Sequence, residues 1–132
     1  METQLTIRID WSELDLFGHV NNVMFIKYIQ ASRLNFNEQI GLMKLYETQK
    51  IGFMVAETTC QFKKPLNYPG NVSITTKLLF SKNTSFSLEH TIFDESGNIA
   101  AIGKDVLVVY DFNTNEKCII PKDVLQKMND TI

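Results

Sequence analysis

Residues Asp10 to Arg33 read D-W-S-E-L-D-L-F-G-H-V-N-N-V-M-F-I-K-Y-I-Q-A-S-R. The stretch leaves an alternating segment, passes through a polar turn and enters an apolar helix. Asp15, Gly18, His19, Asn21 and Asn22 crowd the turn, and each is a turn former, a titratable group or a helix cap. From Val23 the pattern V-M-F-I-K-Y-I-Q is apolar on nearly every side, where a surface helix would show a polar half. Other elements are therefore expected to wrap this helix. Its first amides lack intrahelical acceptors and the macrodipole turns its positive end toward them, so the helix start favours partial negative charge. A carboxylate beside such a start, Asp15, points toward catalysis.

Upstream, Thr3 to Asp10 alternates and places Leu5, Ile7 and Ile9 on one face, the period of a half-buried strand. Downstream, Gly41 offers the helix a stop, and Leu42 to Lys50 is irregular or briefly helical. From Ile51 the texture becomes alternating and rich in β-branched and aromatic residues, through G-F-M-V-A-E-T-T-C-Q-F-K-K, N-V-S-I-T-T-K-L-L-F, S-F-S-L-E-H-T-I-F and A-A-I-G-K-D-V-L-V-V-Y. These predict four further strands. The breaks P-L-N-Y-P-G, S-K-N-T and D-E-S-G-N are short and turn-rich, which predicts an antiparallel meander of sequence neighbours. Pro121 suits the first turn of a short terminal helix, K-D-V-L-Q-K-M. One long apolar helix followed by a run of strands gives an α+β domain, a single curled sheet of about five strands around one helix. Such a sheet keeps open edges, so a homo-oligomer is expected.

The chain has 132 residues, one domain's length, enough to bury roughly two-thirds of its unfolded surface. A formal net charge of −2 argues against a general nucleic-acid binder, which concentrates Lys and Arg on one face. The start M-E-T-Q-L-T-I-R is charged and alternating, unlike a signal peptide or a membrane span, so a cytoplasmic protein is expected. Cys60 and Cys118 lie far apart without C-x-x-C spacing and read as two reduced thiols; no metal site or cofactor is expected.

D-L-F-G-H-V-N-N followed by F-I-K-Y-I-Q-A-S-R resembles the signature of the hot-dog-fold acyl-CoA thioesterases of the 4-hydroxybenzoyl-CoA thioesterase type. F-K-K-P-L-N-Y-P-G is similar to that family's basic-Pro turn, and D-E-S-G-N-I-A-A-I-G-K-D-V-L-V-V-Y-D to its last hairpin. The resemblance covers most of the chain, residues 1–132 forming a single hot-dog thioesterase domain. It implies a helix gripped by a curved antiparallel sheet, a homodimer or homotetramer, and active sites shared between subunits. It further implies that Asp15 acts as nucleophile or general base and that backbone N–H near Phe25 polarises the thioester carbonyl. Family members commonly carry tyrosine where this chain has Phe25, a departure that touches substrate contacts more than a backbone role.

The residues themselves leave two readings of Asp15: a carboxylate that attacks or deprotonates water, or a side chain that only ties the turn. His19 can orient the turn and the leaving sulfur or attacking water, and with so few candidate ligands it does not make a zinc site. Asn21 and Asn22 are caps, and Asn22 is also a candidate for substrate contact alongside Gly18. Lys63 and Lys64 are paired positive charges at a turn, able to meet the phosphates of coenzyme A. Phe17, Phe25, Phe53 and Met54 are expected to line the acyl pocket. Arg33 is expected to pair with a carboxylate of turn or sheet, Glu57 to face solvent, and His90 to be a plain strand residue. The function expected is hydrolysis of a small or medium acyl-CoA, aliphatic or aromatic, to free acid and CoA. The competing readings are a non-catalytic acyl-CoA-binding protein and a hot-dog hydratase or dehydratase, which would carry an N-P-x-H pattern absent here.

Overall fold

A computed structural model describes residues 1–130. Strand β1 (Glu2–Arg8) leads through a 3-10 turn, Trp11–Glu13, and the polar loop into helix α1 (Asn22–Gln39). Helix α2 (Leu42–Gln49) and strands β2 (Ile51–Phe62), β3 (Asn71–Ser81), β4 (Ser85–Phe93) and β5 (Ile99–Asp111) follow, then the two-residue β6 (Glu116–Lys117) and helix α3 (Lys122–Asn129). Gly41 stops α1 at φ 82°, a left-handed conformation that glycine adopts without steric penalty. The segment Leu42–Gln49 is helical, and Pro121 stands just ahead of α3 rather than in its first turn.

The strands form one antiparallel sheet in the order β1-β3-β4-β5-β2, with β6 against β5. The meander expected of all neighbours holds for β3, β4 and β5 only. β2 pairs with β5, from Ile51 opposite Asp111 to Phe62 opposite Ala101, and lies at the edge, while β1 takes the place beside β3. The link Lys63–Gly70 therefore crosses the end of the sheet instead of closing a hairpin. Its two prolines lack the amides a tight hairpin uses. It pairs with the polar loop instead: Val20 N–H donates to Leu66 O at 2.9 Å, and His19 bridges to Asn67.

Helix α1 lies on the concave face. Near its start Phe25, Tyr28 and Ile29 pack with Val72, Ile74, Ile92 and Ala101; near its end Phe36 and Ile40 pack with Phe86, Leu88, Leu107 and, from α3, Val124 and Met128. At Gly103 of β5 the helix comes so close that an added Cβ would lie 2.4 Å from Ile29 Cδ1. Between the two apolar halves runs a buried polar chain. Arg33 Nε and Nη2 donate to the two oxygens of Asp105 at 2.8 and 3.1 Å, and His90 Nε2 meets Asp105 Oδ2 at 2.7 Å while its Nδ1 meets Thr76 Oγ1 at 2.7 Å. Burial works to raise the Asp105 carboxyl, but the hydrogen bonds and charges of His90 and Arg33 outweigh it and hold it at about 2.

The helix is covered on one side only. Val23, 64% exposed, and Ile26 and Leu34 face outward, so the wrapping expected from their apolar pattern is incomplete within one chain. None of the helices among the described residues is long and apolar enough to cross a membrane.

Candidate active site

The polar loop is zipped on itself. Leu14 bridges Val20, Asp15 N–H donates to His19 O at 2.7 Å, and Gly18, at φ 81°, donates to Asp15 O at 3.1 Å. Inside this turn Asp15 Oδ1 accepts the N–H of Phe17 at 2.8 Å and of His19 at 3.3 Å. The turn-tying and catalytic readings of Asp15 thus fall on different oxygens: Oδ1 ties the loop, and Oδ2 has no hydrogen-bond partner among the described residues.

The start of α1 is capped by Asn21. Asn21 is the N-cap, its side chain accepting Val23 N–H at 3.0 Å and its carbonyl accepting Met24 N–H at 2.8 Å. Asn21 N–H itself donates to Glu13 O at 2.9 Å. Phe25, the fourth residue of α1, lies four residues past the cap. The amide of Asn22 has no acceptor among the described residues. It lies three residues before Phe25, near which the sequence placed the polarising N–H.

Asp15, His19 and Asn22 open on a cleft of about 280 Å³. Its apolar wall is Val20, Phe25 and Phe62, with Phe62 set edge-on to Phe25 at 5.2 Å between centroids; Lys63, Lys64 and Pro65 complete the rim. Of the residues singled out from sequence, Asp15, His19, Asn22, Phe25, Lys63 and Lys64 come together here. Phe17 and Gly18 do not line it: Phe17 is 80% exposed at the turn tip, and Gly18 shapes the turn. Phe53 packs against the core half that holds Phe36, and Met54 lines a separate apolar cleft of about 620 Å³ with Val108 and Tyr110, so neither builds this acyl wall within one chain. Phe62 takes that place. Alternation along β2 puts it on the inner face, and its position just before K-K-P could have marked it. Arg33 pairs with a sheet carboxylate as expected, Glu57 is exposed, and His90 is fully buried in the polar chain. Among the described residues, no three His, Cys, Asp or Glu side chains gather as a metal site.

Behind the loop sits a group that the functional reading of the sequence passed over. Glu13, 6% exposed, accepts Asp10 N–H at 2.9 Å and Tyr28 O–H at 2.8 Å on Oε1, and Lys27 Nζ at 3.1 Å on Oε2. Burial works to raise its carboxyl, but these donors more than offset that and leave it below the usual carboxylate value. Burial and the same contact push the Tyr28 hydroxyl well above its ordinary value. The spacing Asp10-x-x-Glu13 is a capping-box pattern and was a readable signal.

The chain resembles known thioesterases along its whole length. It is 21% identical over 133 residues to the long-chain acyl-CoA thioesterase FadM of Escherichia coli (strain K12), covering 100% of this chain and 99% of that protein. A solved gentisyl-coenzyme A thioesterase is 30% identical, with a TM-score of 0.84 over 96% of this chain and 99% of its own. A Thermus thermophilus thioesterase solved with coenzyme A and Zn is 23% identical, with a TM-score of 0.84 over 96% of this chain and 97% of its own. A family model for the thioesterase-like superfamily matches residues 9–128, so the chain belongs to that superfamily, has its hot-dog fold and is a thioester hydrolase.

Proposed function

We propose that this chain hydrolyses a small or medium acyl-CoA, aliphatic or aromatic, with Asp15 as nucleophile or general base and the Asn22 amide as the carbonyl's polarising donor. One observation carries the reading: a carboxylate oxygen without a partner and a helix-start amide without a partner, among the described residues, open on the same cleft. Attack turns the thioester oxygen into an oxyanion, and one preorganised donor aimed at it is typically worth about 3 to 4 kcal/mol by deletion. Asp15 Oδ2 either adds to the carbonyl carbon, expelling CoA thiolate and leaving an anhydride that water opens, or takes a proton from the water that attacks. His19, at the same cleft, is placed to orient that water or donate to the leaving sulfur.

The cleft's size supports a small acyl group. An apolar cavity of about 150 Å³ accepts a benzene ring, so about 280 Å³ suits one ring or a short chain together with the thioester. The two rim lysines are placed for the phosphates of coenzyme A. A homodimer or homotetramer completes the reading. β2 is a twelve-residue edge strand exposed from Met54 to Thr59, and Val23 and Ile26 stand uncovered on α1. Pairing at such an edge satisfies backbone groups and covers apolar surface together.

Asp15→Asn tests the mechanism. The amide keeps the Oδ1 turn contacts but can neither take a proton from water nor form an anhydride, so kcat should fall about 100- to 10,000-fold with KM within a small factor. Single-turnover hydrolysis in heavy-oxygen water separates the roles: label in the Asp15 carboxylate marks a nucleophile, label only in the product acid a base. A parent-like rate in the Asn variant overturns the proposal. Binding without turnover in the parent supports the non-catalytic reading, and water addition to an enoyl-CoA the hydratase reading.

A further inference from the structure

Glu13 holds both feet of the catalytic loop. Its carbonyl accepts the N–H of Asn21, the α1 cap, at 2.9 Å. Its carboxylate takes Tyr28 O–H at 2.8 Å and Lys27 Nζ at 3.1 Å from the second turn of the same helix, and Asp10 N–H at 2.9 Å from the strand side. The chain from Glu13 to Asn21 is thus a closed loop, zipped inside by the Leu14–Val20 bridge and the Asp15–His19 bond. Asp15 stands two residues from one foot and Asn22 one residue from the other. Any shift of Glu13 against α1 changes the separation of the Asp15 carboxylate from the Asn22 amide.

We propose that Glu13, clamped by Tyr28 and Lys27, is a positioning residue that sets the distance between the attacking carboxylate and the oxyanion donor. The inference rests on the reading of Asp15 and Asn22 given above. Packing alone does not explain the group, because an apolar side chain of similar volume fills a buried site without the desolvation penalty of a charge. What the carboxylate adds is direction. Four hydrogen bonds, to its backbone oxygen and both carboxylate oxygens, fix it against two segments at once, and the Tyr28 hydroxyl is spent inside the clamp rather than in the cleft. Lys27, by contrast, is largely exposed, so Tyr28 is the buried half of the hold on the helix.

The test uses Glu13→Gln and Tyr28→Phe, singly and together, in single-turnover hydrolysis with enzyme in excess over benzoyl-CoA and hexanoyl-CoA, well below each variant's Tm. With folded enzyme saturating, the rate constant reports geometry and does not depend on how much protein is folded, which circular dichroism measures separately. Misplacement by about 1 Å is worth about 100-fold in rate, so a loosened foot should slow Glu13→Gln by about 10- to 100-fold, and Tyr28→Phe somewhat less, with KM within about threefold. The double variant should be no slower than Glu13→Gln, since the two groups act as a unit. Tyr28→Phe deletes a single oxygen from a buried ring, so it carries the test alone if Glu13→Gln does not fold. Parent-like rate constants with only a lower Tm or folded fraction overturn the inference. The failures are separable: a fully active Asp15→Asn refutes the site itself, while an inert Asp15→Asn beside fast Glu13 and Tyr28 variants refutes only the clamp.

Discussion

Gly103→Ala should destabilise the fold through a single contact, and Ile29→Val should relieve it. A Cβ at Gly103 would lie 2.4 Å from Ile29 Cδ1, 3.0 Å from Ile29 Cγ1 and 3.3 Å from Thr59 O. Carbon atoms prefer about 3.5 to 4.0 Å, so the overlap with Cδ1 exceeds an ångström, and the Cγ1 contact prevents the end methyl alone from turning away. Ile29 is fully buried, so its side chain cannot swing out into solvent without leaving the core. Overpacking of this kind costs about 1 to 3 kcal/mol, offset by about 0.5 to 1 kcal/mol because alanine has less unfolded-state entropy to lose. The net expectation is about 1 to 2 kcal/mol of lost stability. Ile29→Val removes Cδ1 and alone costs about 0.5 to 1.5 kcal/mol. Together the changes should lose less than their sum, with a coupling of about 1 kcal/mol. Urea melts of the four proteins at one fixed concentration measure this, with unchanged slopes confirming comparable end states. Because Ile29 is one turn beyond Phe25, kcat should dip in Gly103→Ala and recover in the pair. Losses that add within about 0.3 to 0.5 kcal/mol, or a Gly103→Ala protein more stable than the parent, refute the close seating of α1 on β5.

Asp105 makes stability fall in acid: its folded carboxyl is lowered from 3.8 to about 2, so its contribution is complete above the unfolded value and is lost as pH drops through the folded one. That shift corresponds to about 2 kcal/mol; urea melts from pH 6 to pH 2 should show the loss, and Asp105→Asn should be less stable than the parent at pH 6 by an amount that shrinks toward pH 2. Replacing Lys63 and Lys64 with Ala should raise KM for CoA thioesters more than it lowers kcat, and the effect should fade at high salt; an unchanged KM at low ionic strength places the phosphates elsewhere. Light scattering at micromolar concentration should give a dimer mass or larger, and Val55→Lys, on the edge strand, should lower it; a monomer mass for the parent removes the shared-site reading.

The polar loop was legible because its logic is local: Asp15, Gly18, His19 and Asn21 lie within seven residues and carry out turn and cap roles that depend on near neighbours. Helix boundaries are less local. Which amides stay free depends on what Asn21 does with its side chain and its carbonyl, and those two bonds engage Val23 and Met24 and leave Asn22 without an acceptor among the described residues. Strand pairing is less local still. The alternation of β2 marks it as a strand but carries no label for its partner, and the choice of β5 over β3 followed from the crossover link pairing with the loop. The same holds for Arg33 and Asp105, 72 residues apart, whose contact no spacing rule reaches. Phe17 and Met54 lie away from this cleft within one chain for a related reason, since an apolar residue in sequence says that cover is needed and not which cleft supplies it.

Helix α1 is fixed at three levels, by the Glu13 clamp near its start, by Ile29 on Gly103, and by Arg33 on Asp105. Sliding or turning the helix would break all three at once, so the Asn22 amide is held still, and in the proposed role that is the condition under which a donor stabilises an oxyanion without reorganising. The outer face of the loop and helix is different. Leu16 and Phe17 project at 93% and 80% exposure, and Val23 and Ile26 stand open on the helix flank. In an open cleft water competes for the Asn22 amide and screens the Asp15 carboxylate, and the same pair of groups interacts several times more strongly once water is excluded. The rigid half of the site is therefore built by one chain, and its dry half has to come from whatever covers the open flank. In the proposed assembly a second copy on the β2 edge brings that cover, which ties the oligomer to the chemistry: the edge strand is expected to matter for kcat although it holds none of the reacting groups.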